Sequence, residues 1–97
     1  MSITIKVAAT VDAVASGSGN EFVTTGPFVL YGDNFSKHER ARLLRLGPSA
    51  TFIPATNNND QLFVSGNPNM VYVDAMGTYR IEKDATVNAA SVGYEEQ

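Results

Sequence analysis

The sequence lacks cysteine entirely and contains a single histidine, His38. Without cysteine the chain can form neither disulfides nor thiolate metal sites. A small domain without disulfides needs another source of stability, and oligomerisation is a common one. An imidazole acting in catalysis or metal binding needs carboxylate or hydroxyl partners nearby, and on a strand the adjacent Glu39 would point to the opposite face. We therefore interpret His38 as a solvated polar residue.

Charge is also scarce. Charged residues make up 18% of the chain, and the net charge is −3, which argues against a general nucleic-acid binder. No apolar run approaches the roughly 18 residues needed to span a bilayer. We expect neither nucleic acid nor a membrane as partner. Few charges together with many Gly, Asn, Ser and Thr residues are typical of an all-β protein with many turns.

Sequence patterns that carry chemistry are missing as well. Asn57, Asn59 and Asp60 resemble a loose calcium ligand set, but the glycine and distal glutamate of a calcium loop are absent. Gly17 and Gly19 precede no βαβ unit, and no serine lies in a nucleophile elbow. We expect no enzyme activity, no cofactor and no metal site.

What is present indicates strands. Ninety-seven residues fit one domain, and short β-rich runs alternate with turn residues throughout. The sequence predicts an all-β fold, a small β-sandwich or barrel of about seven to eight short antiparallel strands. We expect a single β-domain over residues 1–97, with an N-terminal strand or arm and a loop in 1–20. The sandwich core should span 21–94, and 95–97 should be a solvated tail.

Residues 36–46 allow two interpretations. Ser36 and Glu39 fit a capping box, good helix formers follow, and Gly47 before Pro48 is a stop signal, so a short helix is one. In the other, residues 40–46 form a strand, 47–49 a turn and 50–53 the partner strand. We favour the strand because the surrounding pattern is β-rich and tertiary context commonly overrides helix propensity.

The densest β signal lies in residues 70–81. The runs 70–73 and 78–81 are rich in aromatic and β-branched residues, and Gly77 between them tolerates positive φ. We predict a strand, a sharp corner over 74–77 and a returning strand, together a core hairpin. Tyr79 should anchor the core edge with its hydroxyl on a backbone partner, and Arg80 should pair with Glu82. A turn is expected at 82–84.

Basic and acidic residues are unevenly distributed along the chain. Four of the seven basic residues fall within nine positions, and the C-terminal fifth is acidic. These groups could be two solvated faces, or complementary patches that meet between subunits or against a larger assembly. The candidate interface residues are Lys37, Arg40, Arg42, Arg45, Glu82 and Asp84.

One stretch carries a family resemblance. Residues 77–83 (Gly-Thr-Tyr-Arg-Ile-Glu-Lys), followed by Ala-Thr at 85–86 and Ala-Ser-Val-Gly at 90–93, resemble the C-terminal end of small virion proteins of tailed bacteriophages. Residues 26–33 and 39–41 are similar to the first half of those proteins. The likeness covers most of residues 21–94 and brings no catalytic residues.

The resemblance implies a β-sandwich that binds the outside of a phage capsid as a cement or decoration protein. Its partners would be the major capsid protein or other virion proteins. It would act as a homotrimer in the virion, which assembles in the host cytoplasm. Two other classes stay open. One is a tail, fibre or head–tail connector module. The other is a carbohydrate- or ligand-binding β-domain, which should show a concave site with exposed aromatics such as Tyr31, Tyr72 or Tyr94.

Overall fold

The computed structural model of the chain describes residues 4–9, 20–57, 60–83, 86 and 90–97. These residues are all-β, as the sequence predicts, and four of their eleven strands have only two or three residues. The strands are β1 (Thr4–Ala9), β2 (Glu21–Thr24), β3 (Phe28–Asp33), β4 (Arg40–Leu46), β5 (Phe52–Pro54), β6 (Thr56–Asn57), β7 (Asp60–Gln61), β8 (Phe63–Ser65), β9 (Met70–Val73), β10 (Gly77–Lys83) and β11 (Ala90–Glu96).

Two antiparallel sheets pack face to face. Sheet 1 has the strand order β1-β11-β3-β9, and sheet 2 has the order β2-β10-β4-β5, with β8 also paired to β4. The short strands β6 and β7 form a separate two-stranded ladder, and the Gln61 side chain donates to the Leu43 carbonyl of β4 at 3.4 Å. Strands β3 and β9 belong to sheet 1, whereas the strands before and after each of them in the chain belong to sheet 2. The links on both sides of β3 and of β9 therefore carry the chain from one layer to the other.

The predicted hairpin over residues 70–81 is wrong, although both of its strands exist. β9 pairs with β3 in sheet 1, whereas β10 lies between β2 and β4 in sheet 2. Residues 74–76 therefore form a link between the sheets, and Gly77, with a φ of 158°, is the first residue of β10. The alternation of side chains locates a strand and its core face, but it does not specify which neighbour the strand pairs with.

Residues 40–46 form strand β4, so the strand interpretation is confirmed and the helix is not adopted. The backbone N–H of Ser36 donates to Glu39 Oε1 at 2.8 Å, and the N–H of Glu39 donates to the Ser36 carbonyl at 3.1 Å. These bonds close a turn. His38 between them has a φ of 69°, which an α-helix cannot accommodate.

The core lies between the sheets and is aromatic at its centre. Phe22 stacks on Tyr94 with ring centroids 4.2 Å apart, and Phe28 meets Tyr79 edge-on at 4.9 Å. Tyr79 is 1% exposed, and its hydroxyl donates to the Ala75 carbonyl at 2.6 Å, as predicted. The aliphatic side chains that are also fully buried are Leu30, Leu43, Val64, Ile81 and Val92.

Two expectations near the C-terminus need correction. Lys83 is fully buried at the end of β10 and lies opposite Ala41, so residues 82 and 83 belong to a strand and not to a turn. β11 continues through Glu96 because β3 offers backbone partners as far as Phe28. The expected tail at 95–97 is therefore mostly strand.

The cross-strand register also changes the predicted partner of Arg80. Its Nη2 lies 2.8 Å from Glu21 Oε2, and the pairing with Glu82 is wrong. Glu21 stands directly opposite Arg80 on the neighbouring strand β2. Directly opposite side chains are closer than those two positions apart on one strand.

Candidate binding surfaces

The links between the strands define two ends of the sandwich. Residues 25–27 and 74–76 cross between the sheets at one end, beside the last residue of β4 and the first of β5. Residues 34–39 and 66–69 cross at the opposite end. The two ends differ in chemistry.

The first end is apolar. Six large hydrophobic side chains of the described residues are exposed, and five of them lie toward the end of the sandwich with the 25–27 and 74–76 links. The exposed fraction is 64% for Val23, 61% for Met76 and 57% for Tyr72. We call this surface the apolar end, and its members are Val23, Leu46, Ile53, Tyr72 and Met76. The sixth exposed residue, Met70, begins β9 on the side of the 66–69 link.

A cleft of about 530 Å³ opens beside the apolar end, between the edges of the two sheets. We call it the tyrosine cleft, because Tyr72 lies at one wall and Tyr79 at another. Arg45 also lines it and donates from Nη2 to the Met76 carbonyl at 2.9 Å. Burial raises the pKa of the Tyr79 hydroxyl above 10, and the charge of Arg45 offsets part of this rise.

A second cleft, of about 560 Å³, opens at the opposite end between the links 34–39 and 66–69. We call it the basic cleft. Its lining side chains include Lys37, His38 and Arg40, and the aromatic ring of Phe63 forms part of its wall. The guanidinium carbon of Arg40 lies 5.3 Å from the centre of the Phe63 ring, within the range of a cation–π contact.

The structure distributes the four predicted basic interface residues over three places. Lys37 and Arg40 line the basic cleft, whereas Arg45 lines the tyrosine cleft. Arg42 lies on the outer face of sheet 2, where the strand register places it directly opposite Glu82. Side chains alternate along β4, so Arg40 and Arg42 share a face and Arg45 points the other way. The remaining candidate, Asp84, lies outside the described residues.

The position of Glu82 bears on the predicted meeting of basic and acidic patches. Because Arg42 and Glu82 are opposite each other on adjacent strands of one chain, they are cross-strand neighbours without a second subunit. Lys37, Arg40 and Arg45 have no such counterpart in the predicted acidic group among the described residues.

Arg80 completes the outer face of sheet 2. Its guanidinium carbon lies 4.1 Å from the centre of the Phe52 ring, and Nε and Nη2 both donate to Glu21 Oε2 at 3.1 and 2.8 Å. The Arg80 side chain is 15% exposed. Its charge is thus committed to an ion pair and an aromatic ring of the same chain, so we do not count it among the binding residues.

The three tyrosines named as candidate ligand contacts have different environments. Tyr94 stacks in the core, and the Tyr31 hydroxyl donates to Glu95 Oε1 at 3.4 Å on the outer face of sheet 1. Partial burial raises the pKa of Tyr31 above 10, and the Glu95 carboxylate raises it further by its charge and its hydrogen bond. Tyr72 is the one of the three that is largely exposed at a concave site.

The described residues hold no group of three or more His, Asp or Glu side chains placed to bind a metal ion. They also include no helix with the length and apolar character to cross a membrane. The binding potential of the described surface rests on the apolar end and on the two clefts.

Comparison of the chain with protein-family models, with curated proteins and with solved structures finds no match.

Proposed function

We propose that the chain is a structural protein of a tailed-bacteriophage particle, which binds the outer capsid surface and stabilises the shell as a cement or decoration protein. The observation that carries the proposal is the apolar end, where five large hydrophobic side chains are exposed. The sequence resemblance through residues 77–83 supplies the kind of particle.

The apolar end fits a protein surface as partner. Single exposed hydrophobic residues are normal, but a cluster rimmed by polar groups marks an interaction site. Val23 and Leu46 come from sheet 2, Tyr72 from sheet 1 and Met76 from the link between them, and Tyr72 lines the tyrosine cleft together with Ile53. Aromatic and methionine side chains are also enriched in the buried centres of protein interfaces.

Binding to the capsid would stabilise both partners. A ligand that binds the folded state alone raises its stability by mass action, and a homotrimer at a capsid three-fold position would add several contacts per trimer. We expect purified protein to bind empty capsids at micromolar concentration and to raise their melting temperature. No binding at that concentration would contradict the proposal.

The role of the apolar end has its own test. Tyr72→Ser and Met76→Ser together should weaken capsid binding, because both substitutions remove large apolar groups. Both residues are exposed, so neither substitution replaces a buried side chain. Met70→Ser is the matched control, because Met70 is 55% exposed but lies toward the other end of β9. Equal losses in the two proteins would show that the apolar end is not the docking surface. Binding to purified tails with none to capsids would favour a tail, fibre or connector module.

A second candidate function is carbohydrate or small-ligand binding in the tyrosine cleft. The observation in its favour is the exposed Tyr72 ring beside the Asp74 and Arg45 side chains in a concave site. An aromatic platform with a few polar groups is typical of ligand sites. This function predicts glycan-array binding that Tyr72→Ala abolishes and Met70→Ala leaves intact. An array without signal would remove the candidate.

A further inference from the structure

The basic cleft lies at the other end of the sandwich from the apolar end, and the proposed function assigns no role to it. Two loops build it. The 34–39 loop is closed by the Ser36 and Glu39 bonds described above, and the 66–69 loop by a hydrogen bond of 2.7 Å from the Ser65 N–H to the Pro68 carbonyl. The loops also touch, because a Cβ placed on Gly66 would lie 3.3 Å from the Phe35 carbonyl oxygen. The cleft is therefore formed by internally bonded loops.

The cleft carries an excess of positive charge in a chain of net charge −3. Lys37 and Arg40 are exposed along it, and neither forms an ion pair with a described residue. One carboxylate, Glu39, also lines the cleft, but its Oε1 accepts the Ser36 N–H in the loop. Two cations facing one committed carboxylate make a local site for an anion.

Arg40 is partly ordered before any ligand arrives. Its guanidinium group lies 5.3 Å from the Phe63 ring centre, and this contact restrains the side chain at the cleft wall. A guanidinium presents its donors in a fork that matches the two oxygens of a carboxylate. Ser65 and Asn67 add hydroxyl and amide donors to the same lining. Phe63 can pack against the aliphatic part of an acidic side chain.

We propose that the basic cleft binds an acidic segment of a partner protein through Lys37 and Arg40. The cleft holds about 560 Å³, a volume within the range of pockets that take a small ligand or a few side chains. A long polyanion such as nucleic acid fits less well, because the remainder of the chain is acidic and the lining contains one Phe and neither Tyr nor Trp. The inference rests on the proposed function, which makes the partner a protein surface.

The experiment uses the full chain and an acetylated tetra-glutamate peptide as probe. Titration followed by amide NMR should shift resonances of residues 36–40 and 63–67, and binding should weaken as salt is added. Lys37→Gln with Arg40→Gln should reduce the affinity on the order of tenfold, the effect of two exposed charge contacts. Lys37→Gln alone, which leaves the Phe63 contact intact, should give part of that loss.

An acetylated tetra-glutamine peptide is the matched control, because it has the same length and backbone without the negative charges. It should not shift these resonances at concentrations at which the tetra-glutamate peptide does. Equal shifts by the two peptides, or tetra-glutamate shifts that avoid residues 36–40, would overturn the proposal. Tighter binding of an oligothymidylate than of the peptide would also overturn it, in favour of a polyanion site.

Capsid binding separates this inference from the proposed function. If the unchanged protein binds capsids and the Lys37→Gln, Arg40→Gln protein does not, the cleft contacts the capsid as proposed. If both bind equally, the cleft inference fails and the cement function stands. If neither protein binds capsids while the unchanged protein still binds the tetra-glutamate peptide, the cement function fails and the acidic-segment site stands.

Discussion

Asn20 extends the pairing of strands β2 and β10 by one position before β2 begins, and its substitution offers a sensitive test of the sheet geometry. Ile81 in β10 donates its N–H to the Asn20 carbonyl at 2.9 Å, which continues the ladder between the two strands. The matching bond runs from the Asn20 side-chain Nδ2 to the Ile81 carbonyl at 2.7 Å. Both residues are fully buried. The side-chain amide of Asn20 thus completes the pairing with β10 just before β2 begins.

Asn20→Ala should lower the free energy of unfolding by about 2 kcal/mol. The substitution removes the donor to the Ile81 carbonyl, and a buried acceptor left without its bond costs about 1–3 kcal/mol. For a domain of this size, about 2 kcal/mol corresponds to a decrease of roughly 10 °C in melting temperature. The Ile81 N–H keeps its bond, because the backbone carbonyl of residue 20 is retained.

Urea unfolding followed by circular dichroism would measure the loss. Asn69→Ala is the matched control, since Asn69 is exposed and contributes its backbone carbonyl to the bond with the Gly32 N–H at 2.8 Å. The control should change stability by less than about 0.5 kcal/mol. If Asn20→Ala were as stable as the control, the side-chain bond would not contribute to the sheet as described.

Asn20→Asp should make the stability of the folded protein depend on pH. The introduced carboxyl would be buried against a carbonyl oxygen, so its pKa in the folded protein should rise above the unfolded value of about 3.9. The folded state would then hold the proton over a range in which the unfolded state has lost it. Stability relative to the unchanged protein should therefore decrease as pH rises through that range and recover toward pH 4. A difference that does not vary with pH would contradict the burial of this side chain.

Three further substitutions test the core and the surface. Gly32→Ala would place a Cβ 2.9 Å from Val64 Cγ2, so urea unfolding should show a loss of about 1–3 kcal/mol, and no loss would contradict the packing. Tyr79→Phe should cost about 1 kcal/mol at neutral pH. Because the Tyr79 pKa is raised, the stability that its phenol contributes is present below pH 10 and decreases as pH rises through the raised value. The decrease in the free energy of unfolding at alkaline pH should therefore be smaller in the Phe variant than in the unchanged protein. Glu21→Gln should cost at most about 1 kcal/mol, since the partly exposed pair with Arg80 is screened by solvent, and a double-mutant cycle would measure the pair.

The fold class was predictable because local chemistry and final structure agree along most of the chain. Phe28 and Leu30 alternate with Val29 and Tyr31 in the sequence, and in β3 the first two are fully buried and the others half-buried. The strand at 40–46 was predicted from the β-rich pattern around it, because its own residues are also compatible with a helix. The capping-box pattern at Ser36 gave a competing signal because its side-chain and backbone bonds can close a turn as well as begin a helix.

Strand pairing was not predictable from the same pattern. Residues 70–73 and 78–81 are both amphipathic, and each run buries one face against the same core. The first run does so from sheet 1 and the second from sheet 2. A short link serves a hairpin and a crossover between sheets equally well, so the alternation leaves the choice open. The choice depends on partners distant in sequence, such as Phe28 for Val73. These partners become known only when the whole chain is packed.

The candidate site shows the same division between local and global information. Residue type and spacing identified Lys37 and Arg40, but clustering in sequence implied a single basic patch with Arg42 and Arg45. A strand alternates its side chains, so a run of basic residues along β4 is divided between two faces. Phe63, which restrains Arg40, comes from a strand more than twenty positions later and carries no sequence signal of its own.

The separation of the two ends has a consequence for how a partner is recognised. Burial of apolar area is non-directional, so the apolar end can provide affinity without fixing orientation. Charge pairs contribute less affinity at an exposed site, but they depend on geometry and reject the wrong partner. In this chain the exposed apolar residues Tyr72 and Met76 lie toward one end of the sandwich. Lys37 and Arg40, which form no ion pair with a described residue, lie at the other end. A partner that engages both ends must present an apolar surface and an acidic one at a fixed separation, and that requirement is more selective than either contact alone.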